Sequence, residues 1–304
     1  MQLMVKDKFN YPVLVSIIFL AYSLYVIFDH FQFNDHGVSQ IIETRSDGMQ
    51  YSPEKIEGII IGGSNAMWGI SAKQLTNQTG IKFYNLSMHS NGVNYQNYFE
   101  YLKKSFQIKD ANEVKYIFWS TIHAIHEPPW NDFDRDIAGR LRLSKMIPNQ
   151  SLLGYTYATL INQKQILFEV TKEFGDFDFK NFECTLSDSK FLDVSDINRA
   201  YSGGYSMVNP LILKPQLEIY RNFLIDFFPN AQIVFIIPAT LHEVKYDSGR
   251  LKDLNSIMKG LNLKFHFQEP MTDISNFCES DHHPNEIGRQ KRTNDLALLF
   301  QSLL

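Results

Sequence analysis

Cysteine is scarce: the 304-residue chain holds two, Cys184 and Cys278. They stand far apart and in no C-x-x-C spacing, which excludes a zinc site built on cysteine pairs and a small disulfide-stapled scaffold. The two can bridge each other in an oxidising compartment or stay as thiols. A surplus of positive charge is also missing, with 29 Lys and Arg against 33 Asp and Glu and a formal net charge of -4. Nothing in that balance holds a phosphate backbone, so a nucleic-acid partner is not expected. Internal repeats and low-complexity tracts are missing too. No segment asks for a cofactor or a metal. What the chain does have is material for a core, at 44% hydrophobic residues, and many rings, with 24 Phe and 15 Tyr. Disorder throughout is excluded.

One long uncharged run is present, Phe9 to Phe28 (FNYPVLVSIIFLAYSLYVIF). As a helix rising about 1.5 Å per residue it measures about 30 Å, the depth of a bilayer's hydrocarbon core. Lys6 and Lys8 precede it and Asp29, His30 and Asp35 follow it, so the positive-inside bias leaves the first residues in the cytoplasm and the rest of the chain outside. Bulky Tyr22, Leu24, Tyr25 and Ile27 offer no small-x-small cleavage site, which favours an uncleaved anchor over a signal peptide. The expected organisation is a cytoplasmic tip and anchor over 1–28, then a linker over 29–56, polar and marked by Gly37, Gly48 and Pro53. A catalytic domain fills 57–304.

Within that domain, short apolar runs alternate with helical patterns. Gly58 to Ile61, Lys82 to Leu86, Val114 to Trp119 and Gln232 to Ile237 read as strands buried on both faces, with Leu263 to Phe267 as a fifth. Helices are expected over Ser71–Thr79, Tyr95–Phe106, Pro215–Phe228, Ser248–Leu261 and Asn285–Leu303. Such alternation predicts an α/β fold with a parallel sheet covered on both sides. From about 128 to 205 it stops, for longer than an ordinary connection allows. This stretch reads as a helical, aromatic-rich insertion whose rings, Phe174, Phe177 and Phe179 among them, form a core of their own or line a sugar groove.

Two segments carry potential chemistry. Gly62-Gly63-Ser64-Asn65 follows the first strand and enters a helix, which places Ser64 at the carboxyl edge of a parallel sheet, where ligands bind. The bland alternative makes Ser64 or Asn65 a helix cap. Ala66 stands where the last glycine of a G-x-S-x-G elbow belongs, so this is not that motif. Near the other end, Glu279-Ser280-Asp281-His282-His283-Pro284-Asn285-Glu286-Ile287-Gly288 crowds acids and imidazoles together. A serine hydroxyl needs a neutral imidazole to take its proton and a carboxylate to orient that imidazole, and this loop can supply both. Its alternatives are a surface loop of acids and histidines, or a metal site from Asp281, His282 and His283, whose adjacent ligands rarely close a coordination sphere and which no remote cysteine cluster completes.

Together, Ser64 in its Gly-x-Ser block and His283-Pro284-x-x-x-Gly288 resemble the SGNH (GDSL-like) hydrolase and acyltransferase superfamily, from about residue 57 onward apart from the insertion. The resemblance implies a flavodoxin-like three-layer α/β/α sandwich, with Ser64 as nucleophile and His283 as general base. Many relatives place the triad acid three residues before the histidine. That position here is Ser280, so Asp281 is assigned, in the D-x-H spacing of the alginate-acetylating branch. Glu279 with His282 is the alternative acid and base. The family's oxyanion glycine corresponds to Ser90, with Gly92 as a shifted candidate, and its third-block Asn is replaced by Ser120-Thr121-Ile122-His123, where His123 is the best positional match.

The anchored members that the chain resembles O-acetylate secreted or cell-surface polysaccharides or D-alanylate teichoic acid. The resemblance therefore implies a membrane-tethered, extracytoplasmic O-acyltransferase acting on a glycan, beside a multispanning membrane-bound O-acyltransferase as acyl-donor partner. A carbohydrate esterase of the same fold is the enzymatic alternative. A glycan-binding or assembly subunit without catalysis is the other.

Overall fold

A computed structural model of the chain describes residues 20, 22–23, 36–88, 95–106, 109–120, 170–179, 210–237, 248–269, 271, 273–278 and 283–302. The chain divides into two compact units, 1–36 and 37–304. Of the segment 9–28 only Leu20, Tyr22 and Ser23 are described, all helical. The expected anchor therefore lies almost wholly outside the described residues, among which no helix is long and apolar enough to cross a membrane.

Five strands form the sheet of the larger unit: β1 (Gly58–Gly62), β2 (Phe83–Asn85), β3 (Tyr116–Ser120), β4 (Gln232–Ile236) and β5 (Lys264–His266). Their order is β2-β1-β3-β4-β5 and every pairing is parallel. This is the flavodoxin-like order, in which the chain reverses direction of growth between β1 and β3 and opens a crevice at the strands' carboxyl ends. All five strands fall on the runs read from the sequence; in β1 to β4 this is because a strand covered on both faces has no polar side to display, whereas the edge strand β5 is only partly covered.

The two faces are separable by alternation. Ile59 and Ile61, Ile117 and Trp119, and Ile233 and Phe235 enter one hydrophobic cluster, while Ile60, Phe118, Val234 and Ile236 enter the other. On the first face lie α1 (His36–Tyr51), α4 (Tyr95–Ser105), α5 (Pro210–Phe227) and α6 (Ser248–Gly260), contributing Ile41, Leu102, Leu224 and Leu254 among others. The second face is covered by α3 (Ala72–Thr79) and α7 (Glu286–Gln301) through Leu75, Leu296 and Phe300. A short α2 (Ser64–Gly69) sits directly after β1 and contributes to both clusters. The result is three layers around one sheet.

Two expectations are corrected. The stretch 29–56 is not a linker throughout, since α1 packs Ile41, Ile42 and Met49 into the core and buries Arg45 completely. Arg45 Nε and Nη2 donate to the Gly175 carbonyl at 2.9 and 2.7 Å, and Nη1 to that of Ser87. A polar residue at the centre of the buried face breaks the apolar stripe that identifies a packed helix. The second correction concerns the insertion. Residues 170–179 belong to the domain body: Phe177 and Phe179 join the first cluster and Phe174 the second. The remainder of 128–205 lies outside the described residues. Helix α5 also begins earlier than expected, at Pro210, with Pro215 inside it.

Asp176 fixes that segment. Its carboxylate, almost fully buried, accepts from Ser71 Oγ at 2.8 Å, Ala72 N at 2.7 Å and Lys73 N at 2.9 Å, closing the open first turn of α3. Asp176→Ala strands these donors and is expected to lower stability by about 2–3 kcal/mol, read as a fall in the urea midpoint at unchanged slope. A second outcome follows from His266. Burial first, then the Arg292 charge, lowers its pKa below the ordinary 6.5, with Asp295 opposing. The unfolded chain then takes up a proton that the fold refuses, so stability falls as pH drops through about 6.5. His266→Gln is expected to flatten the stability–pH curve between about pH 5 and 7, measured by urea unfolding.

Candidate active site

The first side chain of the site is set by the end of β1. Gly62 has φ +137, a backbone region that L side chains rarely adopt, and a Cβ there would lie 1.7 Å from the Ser120 carbonyl oxygen. Only glycine permits this turn beside the neighbouring strand. Gly63 N then donates to Ser120 O at 3.2 Å. Gly63 is the N-cap of α2 and makes no side-chain capping bond. Ser64 and Asn65 are therefore the first two helical residues, and neither is the cap that the bland reading made of them. Asn65 Nδ2 donates to Ser120 Oγ at 3.0 Å, where Arg292 Nη2 also donates at 3.1 Å. That leaves Ser64 as the hydroxyl directed at the crevice.

The second side chain is held by a small ladder. Phe277 and Pro284 form an antiparallel bridge, Cys278 N donates to His283 O at 2.8 Å, and Asn285 N donates to Asn276 O at 2.8 Å. Asn285 caps α7, its Oδ1 accepting from Gly288 N at 3.1 Å. A Cβ on Gly288 would stand 2.2 Å from the Asn276 carbonyl oxygen, which accounts for the glycine of the His-Pro-x-x-x-Gly motif as a close approach of helix to loop. Pro284 keeps the chain extended until α7 starts at Glu286. Cys278 is fully buried and disulfide-bonded.

These two constructions meet. His283 Nε2 lies 2.7 Å from Ser64 Oγ, and the two residues are 6% and 8% exposed. That is hydrogen-bond distance between a potential nucleophile and a potential base, largely removed from bulk water. Among the remaining residues singled out from the sequence, Asp281, Glu279, His282, Ser90, Gly92 and His123 lie outside the described residues.

Other contributors carried no sequence signal of their own. Trp68, one turn after Ser64 on α2, stacks on the His283 ring at 5.0 Å between centroids and 13° between planes. It also stacks on Phe177 at 4.5 Å and 18°, with Phe179 edge-on at 5.9 Å. Its i, i+4 spacing from Ser64 is the feature from which it was findable. Arg289 supports the same corner: Nη1 donates to Phe177 O at 2.6 Å and the guanidinium lies 4.5 Å from the Phe179 ring centroid. Burial lowers its pKa, opposed by Asp176, Glu286 and Asp178. Tyr98 ties the serine turn to the loop after β2, because its hydroxyl accepts from Gly62 N at 3.1 Å and donates to Leu86 O at 3.1 Å.

No family model matches the chain, and no curated protein matches it. Among solved structures, an acetyl xylan esterase from the rumen bacterium Butyrivibrio proteoclasticus is similar at 10% sequence identity with a TM-score of 0.40. The match covers 82% of this chain and 65% of that one, so the chain spans under two thirds of that structure's length.

The turn itself is testable. Gly62→Ala is expected to displace Ser64 and slow its labelling by a fluorophosphonate about 100-fold, the usual result of a misplacement near 1 Å. Labelling at the native rate would show that the turn tolerates a side chain.

Proposed function

We propose that the chain is a serine-dependent O-acyltransferase that carries an acyl group, acetyl by preference, on Ser64 and passes it to a glycan hydroxyl. The observation that carries this reading is the 2.7 Å contact between Ser64 Oγ and His283 Nε2 at the carboxyl edge of a parallel sheet. As Oγ attacks the donor's acyl carbonyl, Nε2 takes the hydroxyl proton. The resulting imidazolium returns that proton to the departing oxygen of the donor, leaving an ester on Oγ. A sugar hydroxyl then gives its proton to Nε2 as its oxygen attacks that ester. Collapse expels Ser64 Oγ, which recovers the proton from the imidazolium, and the acylated sugar leaves.

Asp281 is the proposed orienting carboxylate, with Glu279 and His282 as the alternative pair. Ser90, Gly92 and His123 are the proposed contributors to the oxyanion site. Location supports transfer over scavenging hydrolysis. The uncharged run 9–28 suits a tether that holds the domain outside the cytoplasmic membrane, close to acyl groups delivered by a multispanning membrane-bound acyltransferase. A disulfide-bonded Cys278 suits the oxidising side of that membrane.

The full chain in detergent, given an activated acetyl ester and oligosaccharide, is expected to yield acetylated sugar, followed by mass spectrometry. Acetate release without acetylated sugar would make it an esterase instead. Ser64→Ala and His283→Gln are each expected to lower the rate by about 1,000-fold or more. Wild-type behaviour from Ser64→Ala would leave only a binding or assembly role. Because the base must be unprotonated, acyl-enzyme formation is expected to fall as the solution is made acid. A flat profile down to about pH 4.5 excludes an imidazole base.

A further inference from the structure

The general base in this site is located by more than its own loop. Helix α2 presents two groups to His283: Ser64 Oγ meets Nε2 at 2.7 Å, and the Trp68 indole meets the face of the ring at 5.0 Å and 13°. Ser64 and Trp68 are four residues apart on the one helix, so they lie on the same side of it. The indole is completely buried and cannot swing away. Phe177 runs parallel to it at 4.5 Å, and Phe179 stands edge-on to both. Phe177 and Phe179 are held in turn by Arg289, and their segment by Asp176.

We propose that Trp68 is a positioning residue for the general base, its indole fixing the plane of the His283 imidazole so that Nε2 stays on Ser64 Oγ. This rests on the acyl-transfer reading of Ser64 and His283. An imidazole turns about its Cβ–Cγ bond over a broad well, and such a turn carries Nε2 away from Oγ. A parallel ring stacked at 5.0 Å between centroids hinders that turn. The ladder around Cys278 and Asn285 fixes the His283 backbone, whereas the stack acts on the ring torsion itself, alongside the Ser64 contact. A leucine at 68 fills part of the space yet presents no flat face. A phenylalanine presents a smaller one.

Two measurements on the full chain test this. The first is intrinsic fluorescence against pH. A protonated imidazole stacked on an excited indole takes an electron from it and quenches emission, so Trp68 brightens as His283 loses its proton. Charged groups on the elements packed round the stack include Asp176, Asp178, Glu286, Arg289 and Arg292, with Lys172, Glu173, Lys291 and Asp295 further along the same segments; Glu279, Asp281 and His282 stand beside His283 in sequence. The step must therefore vanish in His283→Gln as well as in Trp68→Phe to belong to this pair. The second measurement is the rate at which a fluorophosphonate labels Ser64. Trp68→Leu is expected to slow labelling by about tenfold or more, with Trp68→Phe between it and the wild type.

Labelling of Trp68→Leu at the wild-type rate overturns the proposal. So does a wild-type fluorescence curve without the paired step, and so does equal loss in the Phe and Leu variants, which would mark Trp68 as filler only. If the wild type itself fails to label while the paired step is present, the nucleophile reading falls and the stack stands. Should Trp68→Leu not fold, the Phe variant and the fluorescence curve decide.

Discussion

The candidate site hangs on one hydrogen-bond-length contact, between groups 219 positions apart in the chain. Neither partner is delivered by local structure alone. Ser64 owes its place to a glycine-only turn pressed against β3, and His283 to a short ladder that ends where α7 begins. Each is anchored to the same parallel sheet, one through β1 and the other through the packing of α7 on α2 and α3. Contacts of such long range form only after the loops between them have closed, so the pair assembles with the domain as a whole.

The sheet was legible because its inner strands are covered on both faces, and an apolar run such as Ile59–Ile61 or Ile233–Phe235 announces that burial directly. The serine and histidine were legible because a glycine pair and a proline mark the turns that expose them. Helix α1 was not. Its buried face carries Arg45 and Ser46 between its apolar residues, and Arg45 is satisfied by carbonyls of Ser87 and Gly175, far off in sequence. The same applies to 170–179: the value of Asp176 lies in capping a helix that begins at Ala72, which no local pattern discloses. Trp68 stood one helical turn from Ser64 in plain view, but without α2 as a helix its spacing had no meaning. The proposed acid and the oxyanion residues are the parts of the site that rest on motif likeness alone.

Segment 170–179 changes what the aromatic-rich stretch is for. Its rings do not form a separate core: Phe177 and Phe179 pack against Trp68, and Phe174 carries the Lys82 ammonium 3.8 Å over its face. The described part of that stretch is thus built into the wall behind the His283 ring. Cys278, in the ladder that holds His283, is itself disulfide-bonded.

Tyr98 has a consequence for alkaline conditions. Its phenol bridges Gly62 and Leu86, and burial raises its pKa well above the ordinary 10, the hydrogen bond from Gly62 only partly opposing. A phenol that ionised near 10 would lose the proton it gives to Leu86 and loosen the turn that carries Ser64. Held neutral, it keeps the bridge between Gly62 and Leu86 intact at a pH where an exposed phenol has already lost its proton.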